Sequence, residues 1–370
     1  VERDELESWL RLTLTPGLGR AGTRHLLAAC GSPQGVFEQT VAALASVVGD
    51  AVSRALQERP QALDAALDRT LAWLAGEPSR AVVSLGDLRY PARWLQTADP
   101  PLFVFAEGRV DLLAADAIAV VGSRNPTAQG EDTARDFARA LSEAGRTVVS
   151  GLALGIDAAA HAGALEGPGS TVAIVGTGLD SDYPRRNAAL ARRIRSAGLV
   201  VSEYPLGAGP LAPHFPQRNR LIAGLARGTV VVEAALQSGS LITARQALDQ
   251  GAEVFAVPGS IHSPQSRGCH ALIKQGAKLV DSAEDILAEL PPLAPRASPP
   301  AVAPPPAADP AEAEQDDVLR ALGYDPVTQD QLAARTGWPA ARLSARLLEL
   351  ELAGHVARLP GQRFQRRARG

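Results

Sequence analysis

The segment FPQRNRLIAGLARGTVVVEAALQSGSLITA, from Phe215 to Ala244, sets a basic, amide-bearing stretch directly ahead of an apolar strand and a Ser-Gly-Ser turn. That order predicts a phosphate-facing crevice in an α/β domain. Phe215 stands beside His214, Arg218, Asn219 and Arg220. An aromatic among cations suits the grip on a single-stranded polynucleotide, where each stacked base contributes about 1–3 kcal/mol and arginine holds the backbone. Packing in an ordinary core is the competing reading of Phe215. The turn at Ser238-Gly239-Ser240 adds Ser240 as a hydroxyl at the same edge. Composition points the same way. A chain with 35 Arg and two Lys contains three Asn, namely Asn125, Asn187 and Asn219, each in a segment that reads as a loop beside a strand. Asn also suits turns for its own local hydrogen bonding, so the three are candidates and no more.

Three further loops carry polar chemistry. In GSRNPT, Gly122 allows close backbone approach, Ser123 offers a hydroxyl, and Arg124 offers a planar fork for phosphate or for stacking on a base, with Asn125 next to it. In SGLALGID, Gly151 and Gly155 bracket a turn into a helix whose amino end favours an anion. Asp157 is expected to cap or brace that turn, and His161 to be a packed histidine. GTGLDSDYPRRN begins like a dinucleotide fingerprint, but Ser181 replaces the third glycine and Tyr183-Pro184 delays the helix. Tyr183, Arg185 and Asn187 suit stacking and phosphate contact instead. Glu233 ends an apolar strand with no second acid or nucleophile paired to it in sequence, so a brace is expected there. Neither Lys follows a Gly, so the phosphate loop of ATP-driven motors is missing. No cofactor or metal is expected: Cys30 and Cys269 lack metal-ligand spacing.

These loops need a scaffold, and the pattern supplies one. Residues 81–290 alternate apolar strands (118–122, 147–151, 171–176, 199–203, 229–233, 253–257) with amphipathic helical segments. Near-continuous Val/Ile runs indicate strands buried on both faces, hence a Rossmann-like parallel sheet with its ligand site at the carboxyl ends of the strands. Residues 1–80 read as an N-terminal helical domain, in which TPGLGRAGTRHLL resembles half of a helix-hairpin-helix or a plain glycine turn. Nine Pro between 291 and 310 mark a linker over 291–314. Residues 315–370 read as three helices and a hairpin, the winged-helix order. Its third helix carries Arg342 and Arg346 but also Glu349 and Glu351, so duplex contact stays open. The net charge of −3 requires any nucleic-acid contact to come from a local stripe. Apolar runs are too short to cross a bilayer, and the acidic VERDELESWL start does not read as a signal peptide, so a cytoplasmic location is expected.

The motifs GSRNPTAQG, SGLALGIDAAAH, GTGLDSDYPRRN, SEYPLGAGPLAPHFPQRNRLIAGLARGTVVVEA, SGSLITA and VFAVPG, in this order, closely resemble the DNA processing protein A (DprA/Smf) family. The resemblance implies a dimeric protein that binds incoming single-stranded DNA during natural transformation. It also implies protection of that strand and its delivery to the RecA recombinase, without catalysis. Carried over by motif, Gly122, Ser123, Arg124 and Gly151 would line the DNA pocket, completed by Arg185, Phe215, Arg218 and Asn219. Family members often carry lysines here, whereas this chain offers Arg185 and His214. The alternative is a nucleotide-binding enzyme of the nucleoside monophosphate phosphoribohydrolase type, whose PGGxGTxxE motif this chain lacks.

Overall fold

The computed structural model describes residues 2–293, 317–322, 327–352, 355–359 and 363–366, in two compact units, Val1–Ala294 and Pro295–Gly370. The first unit opens with helices α1 (Arg3–Leu14), α2 (Arg20–Cys30), α3 (Pro33–Phe37), α4 (Val41–Val48), α5 (Asp50–Gln57) and α6 (Leu63–Gly76). Strand β1 (Arg80–Ser84), helix α7 (Ala92–Leu95) and strand β2 (Phe103–Gly108) follow. The alternating core comprises β3 (Ala117–Val121), α8 (Ala128–Glu143), β4 (Thr147–Ser150), α9 (Ile156–Ala164), β5 (Thr171–Val175), α10 (Ala188–Ala197) and β6 (Leu199–Ser202). It continues through α11 (His214–Leu225), β7 (Gly228–Val231), α12 (Ser240–Asp249), β8 (Glu253–Ala256), α13 (Arg267–Lys274), β9 (Lys278–Leu279) and α14 (Ala283–Glu289).

The nine strands form one sheet in the order β1-β2-β6-β5-β4-β3-β7-β8-β9. All neighbours from β6 to β9 are parallel, while β1 and β2 add an antiparallel edge that the alternation in sequence does not reveal. The apolar runs are continuous because successive side chains serve different cores. In β3, Ile118 and Val120 pack with Phe137 and Ile156 on one face, and Ala119 and Val121 pack with Leu221 and Ile222 on the other. The N-terminal helices share a core with the sheet: Leu6, Trp9, Leu26 and Leu56 join Phe103, Phe105, Val175 and Val200. The TPGLG turn does separate two helices, with Gly17 at φ +77°. Beyond it Arg20 and Arg24 pair with Asp99 at 2.7 Å each, so this segment is tied to the body of the protein. Of the two cysteines, Cys269 is buried and Cys30 half-buried.

Strand order sets the place of the site. From β3 the chain winds to β4, β5 and β6 on one side, then returns to place β7 and β8 on the other. Such a reversal opens a crevice beyond the carboxyl ends of the two strands that meet there, here β3 and β7.

The second unit has helices α15 (Asp317–Leu322), α16 (Gln329–Thr336) and α17 (Ala340–Leu352), with strands β10 (Val327–Thr328), β11 (Val356–Leu359) and β12 (Arg363–Arg366) in the order β10-β12-β11. Leu332, Leu343, Leu347, Val356 and Phe364 close its core. In α17 the two expected basic residues are engaged locally: Arg342 lies 3.8 Å over the Trp338 ring, and Arg346 pairs with Glu349 at 2.6 Å. The expected linker from 294 onward and the last four residues, 367–370, lie outside the described residues.

Candidate functional site

At the β3/β7 switch point lies a crevice of about 470 Å³ walled by Gly122–Asn125, Phe215, Arg218, Asn219 and Ser238–Ser240. A smaller cavity of about 100 Å³ shares Arg124, Phe215 and Arg218 with it and adds Gly151, Gly176, Tyr183 and Pro184. Ten of the residues singled out from sequence therefore converge: Gly122, Ser123, Arg124, Asn125, Gly151, Tyr183, Phe215, Arg218, Asn219 and Ser240.

The loop after β3 is held from below. Ser123 Oγ accepts from the Asn125 amide at 3.1 Å, and the Asn125 carbonyl accepts from Gln265 Nε2 at 3.2 Å. The Glu233 carboxylate accepts from both the amide and the hydroxyl of Thr127, at 2.9 and 2.6 Å. Glu233 is thus a brace, as its isolation in sequence suggested. Glycine is required at 122, since a Cβ would stand 2.7 Å from Ile156 and 2.9 Å from the Glu233 carbonyl. Arg124 is left exposed at the mouth. Its guanidinium lies 5.7 Å from the centre of the Phe215 ring, and Phe215 stands 5.6 Å from Tyr183. No carboxylate pairs with Arg124 among the described residues.

The SGLALGID turn corrects one expectation. Its amides point inward: Asp157 accepts from Gly151 and Ala153 at 3.1 and 3.3 Å, and His161 Nε2 accepts from Leu152 at 3.2 Å. Those three donors are consumed, so they present no nest to a phosphate. Leu152 sits at φ +59°, a strained conformation for a residue with a side chain. Asn187 Nδ2 holds it by donating to the Leu152 and Ala153 carbonyls at 2.9 and 3.1 Å. Asn187 is buried beneath the loop and is a brace, where phosphate contact was expected. His161 Nδ1 lies 2.7 Å from Thr171 Oγ1, whose hydroxyl donates to the Val148 carbonyl. Since Nε2 accepts, the ring is neutral with its proton on Nδ1.

Burial, aided by the Arg218 charge, pushes the His161 pKa down to about 3. An unfolded histidine titrates near 6.5, so the folded state refuses a proton that the unfolded chain takes. Stability from this group is complete above pH 6.5 and declines as pH falls toward 3, by about 1.4 kcal/mol per unit. Between pH 7 and 5 the wild-type protein should lose about 2 kcal/mol more than His161→Gln, read from urea midpoints. Equal losses would show that another group carries the acid sensitivity.

A second correction concerns the LAPHFPQRNR segment. It reads as a loop, but α11 begins at His214, and residues 214–220 form its first two turns. Pro216 falls in the first turn, where a missing amide proton costs nothing. The helix phase then sends Arg218 inward with Leu221, Ile222 and Leu225. Arg218 is 4% exposed, donates to the Ile174 carbonyl, and packs so closely that a Cβ on Gly151 would overlap its guanidinium. Burial lowers its pKa to about 10, opposed by Asp157, so it remains a cation in the crevice floor. It supports the loop and lends charge, where direct backbone contact was expected.

Three more candidates stand apart. Arg220 points away and pairs with Glu203 and the Asp99 carbonyl. His214 lies behind the wall, stacked on Tyr204 at 3.8 Å with Nδ1 3.1 Å from the Gly176 carbonyl. Arg185 is exposed in a neighbouring open depression of about 580 Å³ with Asp180–Asp182 and Gly207–Gly209. The sequence reading overlooked Gln237, Ile242, Thr243 and Gln265, which also line the crevice. Three of them lie in or beside the SGSLITA segment already marked, whereas Gln265 arrives from beyond β8 and only the fold places it here.

A sequence profile described as DNA recombination-mediator protein A matches residues 81–291, and a DprA winged helix domain profile matches residues 302–362. The chain is 43% identical to Protein Smf of Escherichia coli over 302 residues, 80% of this chain and 79% of that protein. It is 49% identical to DNA processing protein DprA of Streptococcus pneumoniae over 206 residues, 56% of this chain and 73% of that protein. Among solved structures, DNA processing protein A of Streptococcus pneumoniae is similar with a TM-score of 0.68 and 38% identity, covering 79% of this chain and 99% of that one. A Helicobacter pylori DNA processing protein A, described for its single-stranded DNA binding mode, is similar with a TM-score of 0.52 and 28% identity, covering 56% of this chain and 94% of that one.

Proposed function

Because the chain belongs to the DNA recombination-mediator protein A (DprA/Smf) family, we propose that its switch-point crevice binds single-stranded DNA, protects it and passes it to the RecA recombinase without catalysis. The observation that carries this reading is the exposed Arg124 beside the Phe215–Tyr183 ring pair, free of any carboxylate partner among the described residues. Rings of that kind stack unpaired bases, and a planar cation beside them holds phosphate. The buried Arg218 adds positive potential from below. The Helicobacter pylori relative, described as binding single-stranded DNA, supports the choice of ligand. Glu233 has both oxygens committed to Thr127, which favours a binding site over the base-releasing enzyme. Two subunits would carry one strand across two crevices in the cytoplasm. Among the described residues no helix is long and apolar enough to cross a membrane.

The test is a salt series with a thymidine oligomer followed by fluorescence anisotropy. The logarithm of the binding constant should fall linearly with the logarithm of salt concentration, with a slope of roughly −0.7 for each phosphate neutralised. Salt-independent binding would count against arginine-held phosphates. Incubation with nucleoside monophosphates should release no free base, and Glu233-dependent release would favour the enzyme.

A further inference from the structure

The Tyr183–Asn187 segment runs from the crevice straight into α10, and the charge along it is one-sided. Between Asp182 and Glu203 the chain has five arginines and no acid, although its net charge is −3. The helix buries Ala191 and Ile194 against the sheet. Arg185, Arg186, Arg192 and Arg193 are all exposed. Arg192 and Arg193 stand side by side in α10, and Arg185 and Arg186 lie in the short 3-10 turn Arg185–Asn187 that leads directly into it. The fifth arginine, Arg195, turns back to Glu107 and Asp182 at 3.0 and 3.1 Å. That pairing engages both carboxylates. Asp180, the other acid close by, accepts from the Gly207 amide at 2.8 Å. Among the described residues no carboxylate pairs with the four outward arginines.

We propose that single-stranded DNA leaving the crevice continues along this outer face of α10, with Arg186, Arg192 and Arg193 as phosphate contacts beyond Arg185. The inference rests on the crevice reading above and adds a second segment to the path. Continuity supports it: Tyr183 packs with Phe215 in the crevice, and Arg185, two residues on, lines the depression that opens toward α10. Charge complementarity supports it too, since a polyanion relieves the mutual repulsion of neighbouring unpaired cations. The face carries no aromatic residue, so it should hold backbone without selecting bases.

The experiment compares oligomers of about 6 and about 20 thymidines, since the binding footprint of a single-strand site spans roughly 4–16 nucleotides. Against the long oligomer, Arg192→Glu/Arg193→Glu should bind at least about tenfold more weakly at low salt, with a salt slope shallower by about 1.4. The short oligomer should bind this variant within about twofold of wild type. The milder Arg192→Gln/Arg193→Gln pair should show the same slope change, and Arg192→Lys/Arg193→Lys should restore it. Arg135→Glu, exposed on α8 with α9 standing between it and α10, controls for general charge. An unchanged slope with the long oligomer, or an equal loss in Arg135→Glu, would overturn the α10 path. Failure of the short oligomer to bind wild type, or its indifference to Arg124→Ala, would instead remove the crevice reading.

Discussion

Arg124→Ala should weaken binding of a short thymidine oligomer by about 10- to 100-fold, the loss expected for a charge-assisted contact of roughly 1.5–3 kcal/mol. Duplex affinity should change by less than about threefold, because paired bases hide their faces and unstacking one costs a few kcal/mol. The reasoning is geometric. The guanidinium stands at the mouth of the crevice, 5.7 Å from Phe215, on a loop pinned through Ser123, Gln265 and Glu233. A ligand therefore meets a side chain whose backbone is already placed, and little of the interaction is spent on ordering it. Arg124→Lys keeps the charge but loses the planar fork, so it should recover only part of the affinity. Competition between a radiolabelled single strand and cold duplex reads both effects in one assay. Equal losses for the two forms would move the site away from the crevice.

How far sequence alone led to this site depends on which physical signal each residue carries. The central strands were legible because burial on both faces forces small or branched apolar residues at every position, as in β3, Ala-Ile-Ala-Val-Val, where all five residues are buried. The antiparallel edge was not, because Arg80–Ser84 and Phe103–Gly108 carry apolar side chains whichever way they pair. Rarity of Asn marked three positions, and the fold gives them three roles: Asn125 at the mouth, Asn219 in the wall, and Asn187 as a buried brace. Composition registers that an amide is needed but not what it bonds. The error over residues 214–220 has one cause. Two prolines in six residues look like a loop, yet both fit a helix start, one at the cap and one in the first turn. Extending the helix back to His214 puts Arg218 in phase with Leu221, Ile222 and Leu225, and its burial follows from that periodicity.

The burial of Arg218 leads to the largest stability effect. Arg218→Met should destabilise the protein by about 3–5 kcal/mol, the range for leaving a buried charge without its opposite, here Asp157, which feels the Arg218 charge without a direct ion pair. The guanidinium donates to the Ile174 carbonyl at the end of β5 and lies against Gly151 at the end of β4. It thereby joins two adjacent strand ends beneath the loop. Burial opposes its charge, and burial likewise raises the carboxyl pKa of Asp157, countered first by Arg218. Each ion makes the other tolerable. Without the cation, Asp157 must stay charged in an apolar setting or take up a proton and weaken its hold on the Gly151 and Ala153 amides. Methionine is similar in length to much of the arginine stem, so little of the loss comes from an empty cavity. Adding Asp157→Asn removes the stranded charge while keeping an oxygen for the amides. The double variant should therefore regain about half of the lost stability or more, which is a coupling energy beyond 1 kcal/mol. Urea unfolding of the four proteins in the cycle measures it. Strictly additive losses would mean that the two buried charges are held separately, and that Arg218 serves the crevice only through its bond to β5.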